Sequence, residues 1–171
     1  MKAYIGIGAN LGDRLENIRN AIDEIAHLQN VKSLRLSSIY ETEPVQCEGE
    51  WFYNAVLEIE TSLVPLLLIK HLLQIEISLG RIKLKKGYAR PIDLDLLLFE
   101  DQVIEEAILT LPHPRMHQRR FVLEPLCELD RNLVHPLLSK TVNDLLHNLT
   151  DKTEVRKIIP IHSLEAKPAL I

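Results

Sequence analysis

Two aspartates stand one residue apart, at Asp93 and Asp95, within the otherwise apolar run DLDLLLF. Burying an unpaired carboxylate costs several kcal/mol, so these side chains need partners. If the run is a strand, its alternation places both carboxylates on one face, with Cα atoms about 7 Å apart. Such oxygen ligands suit Mg²⁺, which binds few carboxylates and completes its shell with water and phosphate oxygens. Two Mg²⁺ ions bridged in this way can hold the attacking and leaving oxygens of a phosphoryl transfer, so the pattern is compatible with a metal site of that kind.

A basic segment leads directly into this predicted strand. Five basic residues and no acidic one lie from Arg81 to Arg90, although the chain as a whole has a net charge of −4. Guanidinium and ammonium groups bind phosphate oxygens, so cations beside a metal-binding pair predict a site for a metal–polyphosphate complex. An acidic chain does not suit a nucleic acid, whose many phosphates must be neutralised. The alternative is that both aspartates face solvent on an edge strand or are counterions of the arginines.

A second basic cluster lies in LPHPRMHQRRFVLEPL, residues 111–126. Its members are His113, Arg115, His117, Arg119 and Arg120. Contact with phosphates explains the cluster most economically. The spacing of the two histidines also admits zinc, but no third ligand is obvious. A solvated charged turn before a helix stays open as a further alternative.

The common phosphate-binding motifs are absent from the sequence. There is no GxxxxGK[ST], and in GIGANLG the third glycine position of GxGxxG is taken by Leu11. The HRD and DFG motifs of protein kinases are also missing. We therefore expect phosphoryl transfer on a different scaffold.

Strands and helices that could position these residues alternate along the chain. Apolar runs and alternation predict strands at 3–9, 31–41, 52–61 and 92–99, and a short extra strand near Val103 and Ile104. Apolar spacing and capping residues predict four helices. The first is at 14–29 and follows an Asp13 cap. The second begins after a Ser62 cap, has Pro65 in its first turn and ends before Gly80. The other two are at 119–128 and 139–149. Pro125 is expected to strain the third of these helices.

The order of these elements predicts the fold class. The succession β-α-β-β-α-β is typical of an α+β fold with a ferredoxin-like antiparallel sheet and helices on one of its faces. The later segments add an extra C-terminal strand and helices. We expect one domain at 1–159 and a flexible tail at 160–171, where patterning is weak.

Composition excludes several classes of protein. The chain has 171 residues, of which 46% are hydrophobic and 26% charged, as in an ordinary globular domain. No secretion signal and no run long enough to span a bilayer is recognised, so we expect a cytoplasmic protein that binds no membrane. Cys47 and Cys127 show no CxxC or Cys/His clustering and are expected to be reduced structural thiols. We further expect a monomer.

Six sequence blocks, in order, carry a resemblance to a known family. They are GIGANLGD, SSIYETEPV, FYNAV, IEISLGR, RPIDLDLLLF and PHPRMHQRRFVLEPL, and the resemblance extends over residues 4 to about 128. Together they resemble 6-hydroxymethyl-7,8-dihydropterin pyrophosphokinase. The resemblance implies Mg²⁺-dependent transfer of the pyrophosphoryl group of ATP to the hydroxymethyl group of the reduced pterin, with release of AMP, in folate biosynthesis.

The resemblance also implies roles for individual residues. The metal ligands would be Asp93 and Asp95, and the catalytic set would be Arg81, Arg90, Asp93 and Asp95. The ATP site would comprise Glu76, Lys83, Arg90, Leu96, Thr110, His113 and Arg119. The pterin site would comprise Thr42, Pro44, Val45, Phe52, Asn54 and Phe121. The chain departs from the family at Gly87-Tyr88-Ala89, where Trp-Gly-Pro is usual, and at Lys83, where arginine is common.

The residue types of the implied pterin site agree with a flat heterocyclic ligand. Phe52 and Phe121 are two of only three phenylalanines in the chain and offer aromatic faces. Asn54 is unusual in mid-strand and offers both a donor and an acceptor. Ordinary core packing is the alternative for the two rings. Loops 43–51 and 81–90 are expected to close over the substrates.

Two other functions stay open from the sequence. One is a two-metal nucleotidyl or phosphoryl transferase with another acceptor, which would release a different product. The other is a ferredoxin-like ligand-binding module without chemistry, which would have no need for the paired aspartates and the arginines together.

Overall fold

A central antiparallel sheet organises the residues that the computed structural model describes, which are 1–44, 50–80 and 89–160. Within them the strands are β1 (Lys2–Ala9), β2 (Val31–Leu36), β3 (Ile39–Thr42), β4 (Phe52–Thr61), β5 (Asp93–Phe99), β6 (Ile104–Glu106), β7 (Leu109–Leu111), β8 (Val134–His135), β9 (Lys140–Thr141) and β10 (Val155–Ile159). The helices are α1 (Arg14–Ala26), α2 (Pro65–Ser78), α3 (Arg120–Leu129) and α4 (Val142–His147). A 3-10 turn at Met116–Gln118 precedes α3. In the described ranges, no helix combines the length and apolarity needed to cross a membrane.

The strand order places the two aspartates on the edge strand β5, next to β1. The order is β10-β3-β4-β1-β5, with β2 also paired to β4, and all these pairs are antiparallel. β1 therefore lies between β4 and β5. In its register Gly8 is opposite both Asn54 and Asp93, and Gly6 is opposite Asp95. Residues from three neighbouring strands consequently share one face at this end of the sheet.

Each face of the sheet is covered by its own pair of helices. On one face α1 and α2 pack against alternate strand residues such as Ile5, Leu57 and Leu94. On the other, α3 and α4 pack against Tyr4 and Leu97, among others. The aspartates belong to this second face, because Asp93, Asp95 and Leu97 alternate with the buried Leu94 and Leu96.

Several local predictions are confirmed. The Asp13 side chain accepts a hydrogen bond from the Glu16 amide and caps α1, and Gly12 before it has a φ of 67°, which suits glycine. Pro65 stands at the start of α2, and Pro125 lies inside α3. The predicted Ser62 cap is wrong: the N-cap of α2 is Val64, without a side-chain bond, while the Ser62 hydroxyl donates to Asn30 Oδ1.

The predicted strand at 31–41 is two strands. Ser37 and Ser38 separate β2 from β3, and both are buried. The Val56 amide donates to Ser37 Oγ, so a hydroxyl replaces a main-chain acceptor and the ladder shifts at this point. The last strand, β10, was not predicted. Its pattern is mostly exposed, and it exists by pairing with β3, far away in sequence.

Candidate active site

The paired aspartates open onto a cavity of about 750 Å³. Asp93 and Asp95 are both half-buried and both line it, with Gly6 and Gly8 of β1 beneath. Because the intervening Leu94 faces the opposite core, the strand alternation presents the two carboxylates together. The cavity lies on the face of the sheet that carries α3, and Phe121 and Val122 from the start of that helix form part of its wall.

Two arginines and a histidine surround the two carboxylates. Arg90 Nη2 lies 3.2 Å from Asp93 Oδ2. Arg119 Nη1 and His113 Nε2 lie 4.0 and 3.9 Å from Asp95 Oδ2. Burial lowers the pKa of His113, and the nearby Arg119 lowers it further while Asp95 raises it. Burial also lowers the pKa of Arg119, although a guanidinium stays protonated at neutral pH.

Backbone contacts hold Arg90 and His113 in place. The Arg90 amide donates to the Asn10 side-chain oxygen at 2.8 Å, and the Asn10 amide donates to the Arg90 carbonyl. Asn10 is buried at the end of β1, so the sheet itself positions Arg90. The His113 amide donates to the Leu97 carbonyl at 2.8 Å, which holds the turn before α3 against β5.

Aromatic and amide groups line the other part of the cavity. Phe52 and Phe121 both border it. Asn54 is only 6% exposed, and its Nδ2 donates to Thr42 Oγ1 at 2.7 Å. A Cβ at Gly8 would lie 3.0 Å from Asn54 Oδ1, so glycine leaves space where a side chain would collide. The arrangement offers ring faces and a fixed amide to a flat heteroaromatic ligand.

A model of a known family matches most of the chain. It is described as 7,8-dihydro-6-hydroxymethylpterin-pyrophosphokinase (HPPK) and matches residues 4–131. The chain belongs to this family. The predicted resemblance is thereby confirmed.

Named relatives and a solved structure agree with this family. A Haemophilus influenzae protein named 2-amino-4-hydroxy-6-hydroxymethyldihydropteridine pyrophosphokinase is 37% identical, and the match covers 90% of this chain and 96% of that protein. The folic acid synthesis protein fol1 of Schizosaccharomyces pombe is 38% identical over 86% of this chain. The matched region is only 20% of the length of fol1. The crystal structure of Plasmodium falciparum HPPK-DHPS A437G with STZ-DHP has a similar fold, with a TM-score of 0.67 and 16% identity over 85% of this chain and 45% of that one.

Most of the residues that the resemblance implies for the phosphate and pterin sites line this one cavity. They are Thr42, Phe52, Asn54, Arg90, Asp93, Asp95, His113, Arg119 and Phe121. Pro44 is half-buried and does not line it. Val45, Arg81 and Lys83 lie outside the described residues, as do Cys47 and most of loops 43–51 and 81–90.

The residues predicted to hold adenosine lie elsewhere. Glu76 on α2 is 2% exposed, and its Oε1 accepts a hydrogen bond from the Leu94 amide at 2.7 Å. Since β5 ends the strand order of the sheet, this carboxylate accepts from the outer edge of β5. Leu96 is two residues further along that edge, and Thr110 lies on β7, which packs near β5. None of the three lines the cavity.

Arg115 was predicted only as a member of the basic cluster, and three other residues that the fold brings to the cavity, Gln118, Thr150 and Asp151, were not predicted. Arg115 and Gln118 come from the turn before α3, and Thr150 and Asp151 come from beyond α4. Arg115 and Gln118 lie within the basic cluster at 111–126, so the sequence contained a local indication for this turn. Asp151 had no local signal, because its place at the cavity depends on a contact with residue 120.

The donor set at the aspartates fits a hard divalent cation. Two carboxylates on one face, open to a polar cavity, match the preference of Mg²⁺ for few protein oxygens together with water and phosphate. Across residues 1–44, 50–80 and 89–160 there is no group of three or more His, Cys, Asp and Glu side chains suited to a metal. His113 borders the cavity, whereas the His117 ring packs edge to face with His135, at 5.7 Å between centroids.

Proposed function

We propose that this protein transfers the pyrophosphoryl group of ATP to the hydroxymethyl group of 6-hydroxymethyl-7,8-dihydropterin, releasing AMP, in folate synthesis. Family membership over residues 4–131 supports the reaction, and so does the Haemophilus influenzae relative, which the chain matches over 96% of its length. One observation carries the proposal. A single cavity combines the paired carboxylates, their arginines and the slot formed by aromatic and amide groups.

The slot of Phe52, Phe121, Asn54 and Thr42 is the proposed pterin site. Two ring faces stabilise a planar heterocycle by stacking, and the buried Asn54 amide reads its donor and acceptor edge. The hydrogen bond from Asn54 to Thr42 fixes the orientation of that amide before the ligand arrives. Pro44 and Val45, which follow Thr42 by two and three positions, are also part of the proposed site.

The cationic end of the cavity is the proposed triphosphate site. Arg90, His113 and Arg119 lie within 4.0 Å of the two carboxylates and are available to phosphate oxygens once a cation occupies the aspartates. Arg81 and Lys83 belong to the same proposed site. Glu76, with the backbone of Leu96 and Thr110, is proposed to hold the adenosine at the edge of β5.

Asp93 and Asp95 are the proposed ligands of two Mg²⁺ ions. When bound there, Mg²⁺ neutralises phosphate charge and lowers the pKa of a coordinated hydroxyl. The cationic side chains around the aspartates then stabilise charge on the transferring group.

The proposed chemistry is an in-line displacement. A bond forms from the hydroxymethyl oxygen to the β-phosphorus, the bond from that phosphorus to the bridging oxygen of AMP breaks, and the hydroxyl proton passes to solvent. The transition state of phosphoryl transfer is loose and does not require a covalent contribution from the protein. Positioning of the substrates and stabilisation of charge therefore supply most of the catalysis. Arg90 and Arg119 provide fixed positive charge for this, and the walls of the cavity orient the pterin.

Several coarser features accompany this proposal. The order β5-β1-β4-β3 with all pairs antiparallel supports a ferredoxin-like sheet extended by β10. We also propose a cytoplasmic monomer with one domain at 1–159 and a flexible tail at 160–171, of which 161–171 lie outside the described residues.

Product analysis tests the reaction directly. The protein is incubated with ATP and Mg²⁺, with and without the reduced pterin, and nucleotides are separated by chromatography. We expect stoichiometric AMP and pterin diphosphate only when pterin is present. Release of pyrophosphate in place of AMP would instead indicate nucleotidyl transfer, and tight ligand binding that is indifferent to Mg²⁺ and gives no product would indicate a binding module.

A further inference from the structure

The start of α3 receives its cap from a distant part of the chain. The amides of a first helical turn have no partner within the helix. The N-cap residue Arg119 makes no side-chain capping bond. Instead, the Arg120 amide donates to Asp151 Oδ2 at 2.9 Å, across 31 positions of sequence. A carboxylate at this end of a helix is also favoured by the helix dipole.

Asp151 is itself held in a defined orientation. Both the amide and the hydroxyl of Thr153 donate to its Oδ1, so each carboxylate oxygen has a donor. Burial raises the pKa of Asp151, but the hydrogen bonds from Arg120 and Thr153 outweigh burial and leave the pKa below its ordinary value. The side chain is therefore an ionised, oriented cap at neutral pH.

The backbone that Asp151 holds carries two residues of the proposed site. Arg119 and Phe121 flank Arg120, and both line the cavity, as Asp151 does. The guanidinium carbon of Arg119 lies 5.4 Å from the centre of the Phe121 ring. A shift of the first turn of α3 would displace the ring that borders the pterin slot.

The segment around Asp151 also contacts the opposite side of this slot. The Glu154 amide donates to Glu43 Oε1 at 3.2 Å, next to Thr42. Arg156 lies over the Trp51 ring at 4.9 Å, next to Phe52. β10 pairs with β3, with Val155 opposite Thr42. Residues 151–156 therefore join the start of α3 to the strands that carry Thr42 and Phe52, and they lie beyond the matched residues 4–131.

We propose that Asp151 is a positioning residue for pterin binding, which holds the first turn of α3 so that the Phe121 ring faces the slot. This inference rests on the proposed function. It assigns a role in the site to the C-terminal segment, and it requires no contact between Asp151 and the substrate.

Pterin and ATP affinities of Asp151 variants test this role. Calorimetry on the full chain measures the dissociation constants of a non-hydrolysable ATP analogue and of the pterin. The pterin is titrated in the presence of the analogue. For Asp151→Ala we expect the pterin dissociation constant to rise about fivefold and that of the ATP analogue to change less than about twofold, because a lost cap loosens mainly the first turn. Asp151→Asn keeps an acceptor oxygen, so most of the pterin affinity should return.

Asp144→Ala is the matched control. Asp144 completes the capping box of α4, because its Oδ2 accepts from the Thr141 amide at 3.4 Å, and it does not line the cavity. This variant should lower the melting temperature by an amount similar to Asp151→Ala and leave pterin affinity unchanged. If Asp151→Ala does not fold, Thr153→Val, which removes one donor to Asp151, should raise the pterin dissociation constant about twofold or more.

The outcomes separate this inference from the proposed function. Unchanged pterin affinity in Asp151→Ala, with only a lower melting temperature, would overturn the positioning role. Equal losses for pterin and ATP analogue would overturn it as well. Failure of the wild-type protein to bind the pterin at all would overturn the proposed function instead. Hydrogen exchange at residues 120–122, measured without ligand, should be faster in Asp151→Ala than in Asp144→Ala, and equal rates would contradict the cap.

Discussion

Arg119 Nη1 lies 4.0 Å from Asp95 Oδ2, and the same guanidinium lies 5.4 Å from the centre of the Phe121 ring. One side chain therefore lies beside both Asp95 and the aromatic wall of the cavity. A group transfer from a metal-bound polyphosphate to a planar acceptor requires that these two environments be adjacent.

Asp95→Asn should remove activity and leave the fold intact. The change preserves the size of the side chain but removes the charge that holds a divalent cation. Because metal-assisted charge stabilisation contributes several kcal/mol, we expect AMP formation to fall by at least about a hundredfold. Asp101→Asn, an exposed residue just past β5, is the control and should retain full activity. Near-normal turnover of Asp95→Asn, with an unchanged circular dichroism spectrum, would remove Asp95 from the mechanism.

Phe121→Ala should weaken pterin binding much more than ATP binding. The substitution removes one aromatic face of the slot, a loss of about 1–3 kcal/mol in pterin binding. Arg90 and His113, which are proposed to bind phosphate, are on other segments and should stay in place. Calorimetry measures both affinities, with Phe121→Tyr as the control that keeps a ring. Equal losses for the two ligands would speak against an aromatic slot.

Gly8→Ala should damage the same slot through Asn54. An added Cβ would lie 3.0 Å from Asn54 Oδ1, so the amide must move, and its bond to Thr42 would be strained. We expect pterin affinity to fall about tenfold, equivalent to about 1.4 kcal/mol. Gly6→Ala is the matched control on the same strand, because the atoms nearest to its Cβ would be those of the Leu97 side chain, at 3.4–3.6 Å, which is ordinary contact distance. Similar losses in both variants would show that space at Gly8 is not the determinant.

Glu128 should make stability depend on pH in the acid range. Burial raises the pKa of this carboxyl, but hydrogen bonds from Ser38, Lys157 and Tyr40 outweigh burial and leave the pKa below its ordinary value. The pKa of Glu128 is therefore lower in the folded protein than in the unfolded chain, where it is about 4.3. Ionised Glu128 stabilises the fold fully above that unfolded pKa, and this stabilisation is lost as the pH falls through the folded pKa.

Glu128→Gln tests this dependence. We expect the variant to lose about 1–2 kcal/mol of unfolding free energy at pH 7, because charge-assisted bonds are replaced by weaker ones. Urea denaturation at pH 7 and near pH 3 should show the difference between wild type and variant shrinking at the lower pH. The exposed Glu105→Gln is the control and should match wild type at both. A difference that stays constant across this range would contradict the assignment.

Local chemistry was readable from the sequence. The Asp13 cap, the Pro65 helix start and the shared face of Asp93 and Asp95 depend on a few neighbouring residues. Most of the residues that the family blocks implied for the phosphate and pterin sites also line the cavity. The Ser62 cap was predicted wrongly because the helix begins only at Pro65, after an extended Val64, and the local pattern does not distinguish these two starting points.

Tertiary structure decided what depends on distant partners. β10 has a mostly exposed, weakly patterned sequence and forms only against β3. The break at Ser37 and Ser38 requires the Val56 amide as a partner. Asp151 becomes part of the site only through the Arg120 amide. The sequence by itself determined which side chains share a strand face or a helix turn, because backbone geometry repeats over short distances. Which strands pair, which cap meets which helix and where a cavity is left depend on long-range packing of the whole chain, so only the folded structure decided them.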